Sequence, residues 1–298
     1  RALCRETSQS ALCSEIDVVR GDIRDEGSLR DATRDIDVIV HLAARVHVMR
    51  DTAADPLAEF RRVNVAGTAM LAAAARNAGV RHIVFASSVK AVGDASTSAW
   101  TTATPAVPSD PYGVSKLEAE QLLLAQSGER PAVTVLRLPL IYGPGMKGNM
   151  LRLFRIIDRG LPVPVGADDN RRSLLYVGNA AAAIARVIDR VTDDQRGSPP
   201  PGPFFIADGA PPSTAALVRS IAAALGTSPR TIRLPENLLR AVARISDPLT
   251  KDRLTAILNR LLGSLEVDEH EFQQAYDFTP PYTPQAAMDI TARWFRQS

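Results

Sequence analysis

Two β-branched runs, residues 82–85 and 132–138, each follow a segment long enough and rich enough in alanine and leucine to be a helix, residues 66–78 and 115–125. A helix feeding a buried run, repeated, is the pattern of βαβ units, because parallel strands cannot be joined by a tight turn and need a crossover. Asn77-Ala78-Gly79 ends the first helix as a C-terminus should, and Pro131 breaks the chain before the second run. Two earlier runs, 16–19 and 38–42, extend the pattern toward the N-terminus. Right-handed crossovers wind such strands into a doubly wound α/β fold, a parallel sheet covered on both faces.

Beyond Gly143-Pro144-Gly145 the rhythm changes to a helix at 150–158, a strand near 174–177 and an alanine-rich helix at 180–191. The Pro- and Gly-rich stretch 197–203 reads as a loop, 204–207 as one more strand, and helices dominate from Pro211 onward. The expected division is a sheet domain of residues 1–144 and 174–208, with a smaller, mostly helical substrate lobe of 145–173 and 209–298.

Charge and composition narrow the function. Against 33 acidic side chains stand 35 scattered basic ones, which make no field to gather nucleic acid or an anionic membrane. No apolar stretch approaches the ~20 residues of a membrane span. Cys4 and Cys13 are too few to staple the fold or hold zinc, so metal binding is not expected and both read as reduced thiols of a cytoplasmic protein.

The chain opens on Arg1 with no leader pattern and reads as a piece that has lost its natural start. A doubly wound sheet that binds a dinucleotide normally begins with a strand, a glycine-rich turn and a helix whose N–H groups hold the pyrophosphate. No G-x-G-x-x-G occurs near the start, and residues 1–5 look like the end of a second strand. Either the protein never bound a dinucleotide or the segment that did is missing.

Tyr112 and Lys116, four residues apart in Tyr-Gly-Val-Ser-Lys, fall on one face at the start of a helix. A cation and a dehydrated pocket can draw a phenol toward working pH, so such a pair can take a hydroxyl proton; a surface helix start is the competing reading. Ser87 and Ser88 end the run 82–85, at the carboxyl edge where these folds place ligands, although a strand-ending turn also explains them.

Gly21-Asp22-Ile23-Arg24-Asp25, Val40-His41-Leu42-Ala43-Ala44, Asn64-Val65-Ala66-Gly67-Thr68, Phe85-Ala86-Ser87-Ser88, Pro111-Tyr112-Gly113-Val114-Ser115-Lys116 and Tyr142-Gly143-Pro144-Gly145 stand in the order found in extended short-chain dehydrogenases/reductases. Over essentially its whole length the chain resembles the nucleotide-sugar epimerase/dehydratase group, on the UDP-sugar 4-epimerase and UDP-N-acetylquinovosamine 4-reductase branch. The resemblance implies a Rossmann-type sheet, here without its first strand and glycine-rich turn, NAD or NADP as cofactor, and a nucleotide-sugar substrate.

It further implies roles for single residues. Ser88, Tyr112 and Lys116 would be catalytic. Asp22 and Ile23 would border the adenine, Leu42, Ala43 and Ala44 would pass beside ribose and phosphates, and Asn64 would support the site. Lys116 would also hold the nicotinamide ribose, with Pro139 and Leu140 closing on the ring. Asn149 and Arg172 match positions that hold the uridine diphosphate, Arg172 through a fork suited to phosphate. Lys90 stands where epimerases often carry a small hydroxyl residue and could touch sugar or phosphate; a solvated lysine is the alternative. Asn179 replaces an aspartate common in the family. Cys4 and Arg5 at the end of the second strand permit NADP. The helices at 67–78 and 115–125 are candidates for a homodimer contact. Two other functions stay open: a reductase of a steroid- or flavonoid-like alcohol, and a non-catalytic dinucleotide-binding protein.

Overall fold

The computed structural model of the chain describes residues 1–5, 16–46, 54–125, 130–165, 170–193, 202–233 and 263–298; Cys13 and residues 197–201 lie outside them. In chain order the elements are β1 (Ala2–Cys4), β2 (Val18–Arg20), α1 (Glu26–Thr33), β3 (Val38–His41), α2 (Pro56–Phe60), a π-helical turn (Arg61–Val65), α3 (Ala66–Asn77), β4 (His82–Ser88) and a 3-10 turn (Val89–Ala91). There follow α4 (Pro111–Leu124), β5 (Ala132–Leu138), β6 (Leu140–Tyr142), α5 (Gly148–Asp158), β7 (Val163–Val165), β8 (Leu174–Tyr176), α6 (Val177–Thr192), β9 (Gly202–Phe205), α7 (Thr214–Leu225), β10 (Thr231–Arg233), α8 (His270–Tyr276) and α9 (Pro284–Gln297).

Two compact units divide the chain. The first comprises residues 1–94, 102–138 and 184–205, and its centre is a parallel sheet ordered β3-β4-β5-β9. The strands β1 and β2 pair in parallel as a separate ladder, so hydrogen bonding is interrupted between β1 and β3. The fold is α/β, as the alternation of runs and helices requires.

Alanines let α3 and α4 pack closely on this sheet: Ala72, Ala75, Ala119 and Leu123 meet Ile83, Phe85, Val133 and Val135, all buried. Gly67 on α3 faces Ile23, whose methyl group would lie 3.0 Å from an added Cβ. Helix starts follow a shared local rule. Asp55 and Asp110 each cap with a carboxylate and are followed by a proline in the first turn, where its missing N–H costs nothing.

The second unit comprises residues 95–101, 139–183 and 206–298. It contains two short parallel ladders, β6 with β8 and β10 with β7, and a core in which Phe154 of α5, Val218 and Ile221 of α7 and Met288 of α9 are buried together. The division differs from the expected one at 95–101, 139–144, 174–183 and 206–208; β6 and β8 pair with each other and not with the central sheet. No helix among the described residues is long and apolar enough to cross a membrane.

Candidate active site

Successive residues of a strand face opposite ways, and at the carboxyl end of β4 this separates the two serines. Ser87 is buried and its hydroxyl donates to Glu120 Oε1. Ser88 is half-buried, and its hydroxyl acts on the Tyr112 phenol, drawing its pKa down.

Three contacts bring the start of α4 to this edge. Asp110 accepts from Gly113 N at 2.7 Å. Lys90 Nζ pairs with Asp110 Oδ2 at 2.9 Å and also with Asp94. Gly113 lies against the Lys90 carbonyl, leaving no room for a side chain. Lys90, expected at sugar or phosphate, is thus engaged by two carboxylates and fastens the 3-10 turn to the helix.

One helical turn beyond Tyr112, Lys116 is 2% exposed. Its Nζ donates to Ala86 O at 2.7 Å and lies 3.9 Å from the centre of the Phe85 ring. Burial pushes this amine down to about 7, while the Glu120 carboxylate acts against the fall. The expected acidification of the phenol is not found: burial pushes Tyr112 up, Asp110 adds to the rise, and the Ser88 bond opposes it. The cause is that the ammonium is directed at a carbonyl and a ring face, while the desolvated pocket penalises phenolate.

Asn64 sits in the π-helical turn, an irregularity frequent at functional sites. Its Oδ1 accepts from Arg45 N at 2.7 Å, and its Nδ2 donates to Arg45 O at 3.0 Å and to Ser115 Oγ at 2.9 Å. Ser115 Oγ in turn donates to Tyr112 O at 2.8 Å. Asn64 therefore ties the segment after β3 to the first turn of α4. Beside it His41 is buried, with Nε2 2.9 Å from Thr68 Oγ1; burial first, then the Lys116 charge, drives it to about 3, so the ring is neutral.

The remaining expected residues are placed unevenly. Asp22 is held by Arg24, whose Nε and Nη2 both lie 2.8 Å from its oxygens, and that contact lowers it to about 2. Ile23, expected to border the adenine, packs with Leu29 and Leu71 as part of the core. Leu42 and Ala43 are exposed and Ala44 is half-buried. In the second unit Pro139 is buried, Leu140 is exposed on β6, and Asn149 is exposed in the first turn of α5. Arg172 is half-buried and donates from Nη2 to Gly263 O at 3.2 Å.

Sequence reasoning missed the buried pair Glu120 and Arg137, although a charge in the middle of the Val/Leu run 132–138 and a carboxylate one turn after Lys116 were both visible. It also missed Asp208. The substitution at Asn179 has a structural counterpart there: its Nδ2 donates to Asp208 Oδ1 at 2.7 Å, so the carboxylate stands on the other member of the pair.

The sequence profile of the 3-beta hydroxysteroid dehydrogenase/isomerase family matches residues 3–236. The chain is 33% identical over 282 residues to the UDP-glucose 4-epimerase of Vibrio cholerae, covering 93% of this chain and 82% of that protein. Among solved structures it is similar to MoeE5 in complex with UDP-glucuronic acid and NAD, with 27% identity, a TM-score of 0.71, and coverage of 94% of this chain and 85% of that one. It is also similar to the UDP-glucose 4-epimerase of Thermus thermophilus in complex with NAD, at 23% identity and a TM-score of 0.72, covering 96% and 87%; that likeness shows the fold. With residues 3–236 matched by the family profile and a relative 33% identical over most of both chains, the chain belongs to the 3-beta hydroxysteroid dehydrogenase/isomerase family of NAD-dependent epimerase/dehydratase-type enzymes.

Proposed function

We propose that the protein acts on a nucleotide sugar, oxidising a hydroxyl or reducing a ketone of the sugar with NAD as an epimerase or reductase. The observation that carries the reading is the contact of Ser88 with the Tyr112 phenol at the carboxyl edge of the sheet, with Lys116 buried behind it. The UDP-glucose 4-epimerase at 33% identity supports the substrate class, and the NAD in similar solved structures supports the cofactor.

The residues present fit such a dinucleotide in part. Leu42 and Val46, 64% and 60% exposed after β3, offer an apolar surface to a flat ring, and Lys116 offers an ammonium. A glycine-rich turn for the pyrophosphate is not in the 298 residues. When bound, the nicotinamide accepts and returns hydride.

The chain's own groups handle the proton. Burial keeps the Tyr112 phenol protonated, so it is set to donate to a ketone oxygen; in the other direction the Ser88 hydroxyl favours the phenolate that takes a proton from an alcohol. The same residues serve epimerisation and reduction. Lys116, whose amine burial pushes down to about 7, lies buried behind them.

A second reading, a sterol-like alcohol as substrate, is favoured by the matched family itself. Calorimetry with UDP separates the two. Saturable UDP binding, together with NAD-dependent turnover of UDP-glucose, supports a nucleotide sugar; absent UDP binding with turnover of a 3β-hydroxysteroid overturns that choice.

A further inference from the structure

Directly beneath the site lies a buried charged assembly with no assigned part in the chemistry. Tyr112, Lys116 and Glu120 follow one another at four-residue intervals on α4, which places them on one face. Glu120 is 1% exposed. Its carboxylate receives the Arg137 guanidinium twice on Oε2, from Nη2 at 2.7 Å and Nε at 3.2 Å, and the Ser87 hydroxyl on Oε1. Arg137 stands on β5 opposite Ser87 of β4, and its guanidinium lies 5.6 Å from the Phe205 ring centre on β9.

A buried ion pair is costly to form, and replacing one with apolar side chains is often neutral or stabilising. Packing alone therefore does not account for this one. It hooks α4 to the two strands whose ends carry Ser88 and the segment leading into β6, and it puts a carboxylate one turn from the Lys116 amine.

We propose that Glu120 and Arg137 are positioning residues for Lys116, their ion pair and its latch to Ser87 fixing where α4 presents the amine and the charge it feels there. The proposal rests on the reading of Lys116 as a site residue. The ionisable groups around the amine are Tyr112 and Glu120 on its own helix, His41 on β3 and Arg137 on β5. Of these, Glu120 favours the ammonium, while His41 is neutral.

The test is a titration of the protein labelled with 13Cε-lysine, which holds only Lys90, Lys116, Lys147 and Lys251, each assignable by single substitution. Glu120→Gln keeps shape and removes charge, and Lys116 should then titrate about one pH unit lower. Ser87→Ala, too small a change to threaten folding, takes one hydrogen bond from the carboxylate, leaves more of its charge for the amine, and should move Lys116 upward. Opposite shifts support the proposal. A Lys116 titration unmoved in both variants, or moved the same way in both, overturns it; where Glu120→Gln does not fold, Ser87→Ala alone decides. Turnover retained by Tyr112→Phe defeats the proposed reaction without touching these shifts, so the two failures are distinguishable.

Discussion

Gly113 lies so close to the Lys90 carbonyl oxygen that a Cβ built on it would come within 2.3 Å of that oxygen. The helix that carries Tyr112 can approach the turn after Ser88 only because the residue following the tyrosine has no side chain. Gly113→Ala should push α4 off that turn, cost about 1–3 kcal/mol through overpacking, and reduce turnover more than nucleotide affinity. Chemical denaturation and steady-state kinetics on the variant check both parts; unchanged turnover would mean that the contact does not set the Tyr112 position.

Lys116 trades stability for its place in the site. Its folded pKa of about 7 lies below the ordinary 10.5, so the unfolded chain binds the extra proton between those values. Stability from this group is present above the upper value and is lost as pH falls toward the lower. Lys116→Met should therefore raise the unfolding free energy at pH 7 by roughly 1–3 kcal/mol while removing turnover, and the gain should shrink toward pH 10.

Two buried histidines set the acid limit. Burial lowers His41 to about 3 and His82 to about 4, both below the ordinary 6.5. The unfolded chain takes up protons that the folded one refuses, so their contribution is present above pH 6.5 and is lost on acidification, by about 1.4 kcal/mol per pH unit for each histidine. His82→Gln, which keeps a partner for Thr134, should flatten the fall in stability between pH 6.5 and 5, as read by urea melts at a series of pH values.

Buried Asn179 pairs through its amide with the half-buried Asp208 carboxylate and is also bonded to the Tyr282 backbone at both ends of its amide. Asn179→Asp sets two carboxylates against each other and should cost roughly 2–4 kcal/mol. Adding Asp208→Asn restores one charge per pair and should recover at least half of that loss in a double-mutant cycle. Additive losses would show that the two side chains are not coupled.

Much of the first unit was legible because its signals were local. The runs at 82–85 and 132–138 became β4 and β5, and residues 66–78 became α3 almost to the residue. The helix at 115–125 begins earlier, at Pro111, since Asp110 with Pro111 is a helix start in its own right. The last strand of the central sheet is Gly202–Phe205 and not 204–207. Pro203 argued against a strand, yet β9 is an edge of the sheet, where a missing N–H is tolerated. The run 16–19 shifted to Val18–Arg20 because pairing with β1 fixes the register.

The electrostatics around Tyr112 and Lys116 were not legible in the sequence. Spacing put Tyr112 and Lys116 on one face, but only the folded chain shows the amine turned to Ala86 O and the Phe85 ring. Likewise the buried fate of Ile23 depends on its meeting α3 and Leu29, partners that no local pattern names.

Turnover of UDP-glucose by Tyr112→Phe, in the presence of NAD and with UDP affinity measured on the same sample, tests the proposed chemistry most directly. The phenylalanine keeps the ring beside Phe60, 6.0 Å between centres, and removes only the hydroxyl that Ser88 contacts. Turnover should fall by about 10²-fold or more with UDP affinity unchanged; turnover equal to that of the parent protein would contradict the assignment of the proton to Tyr112.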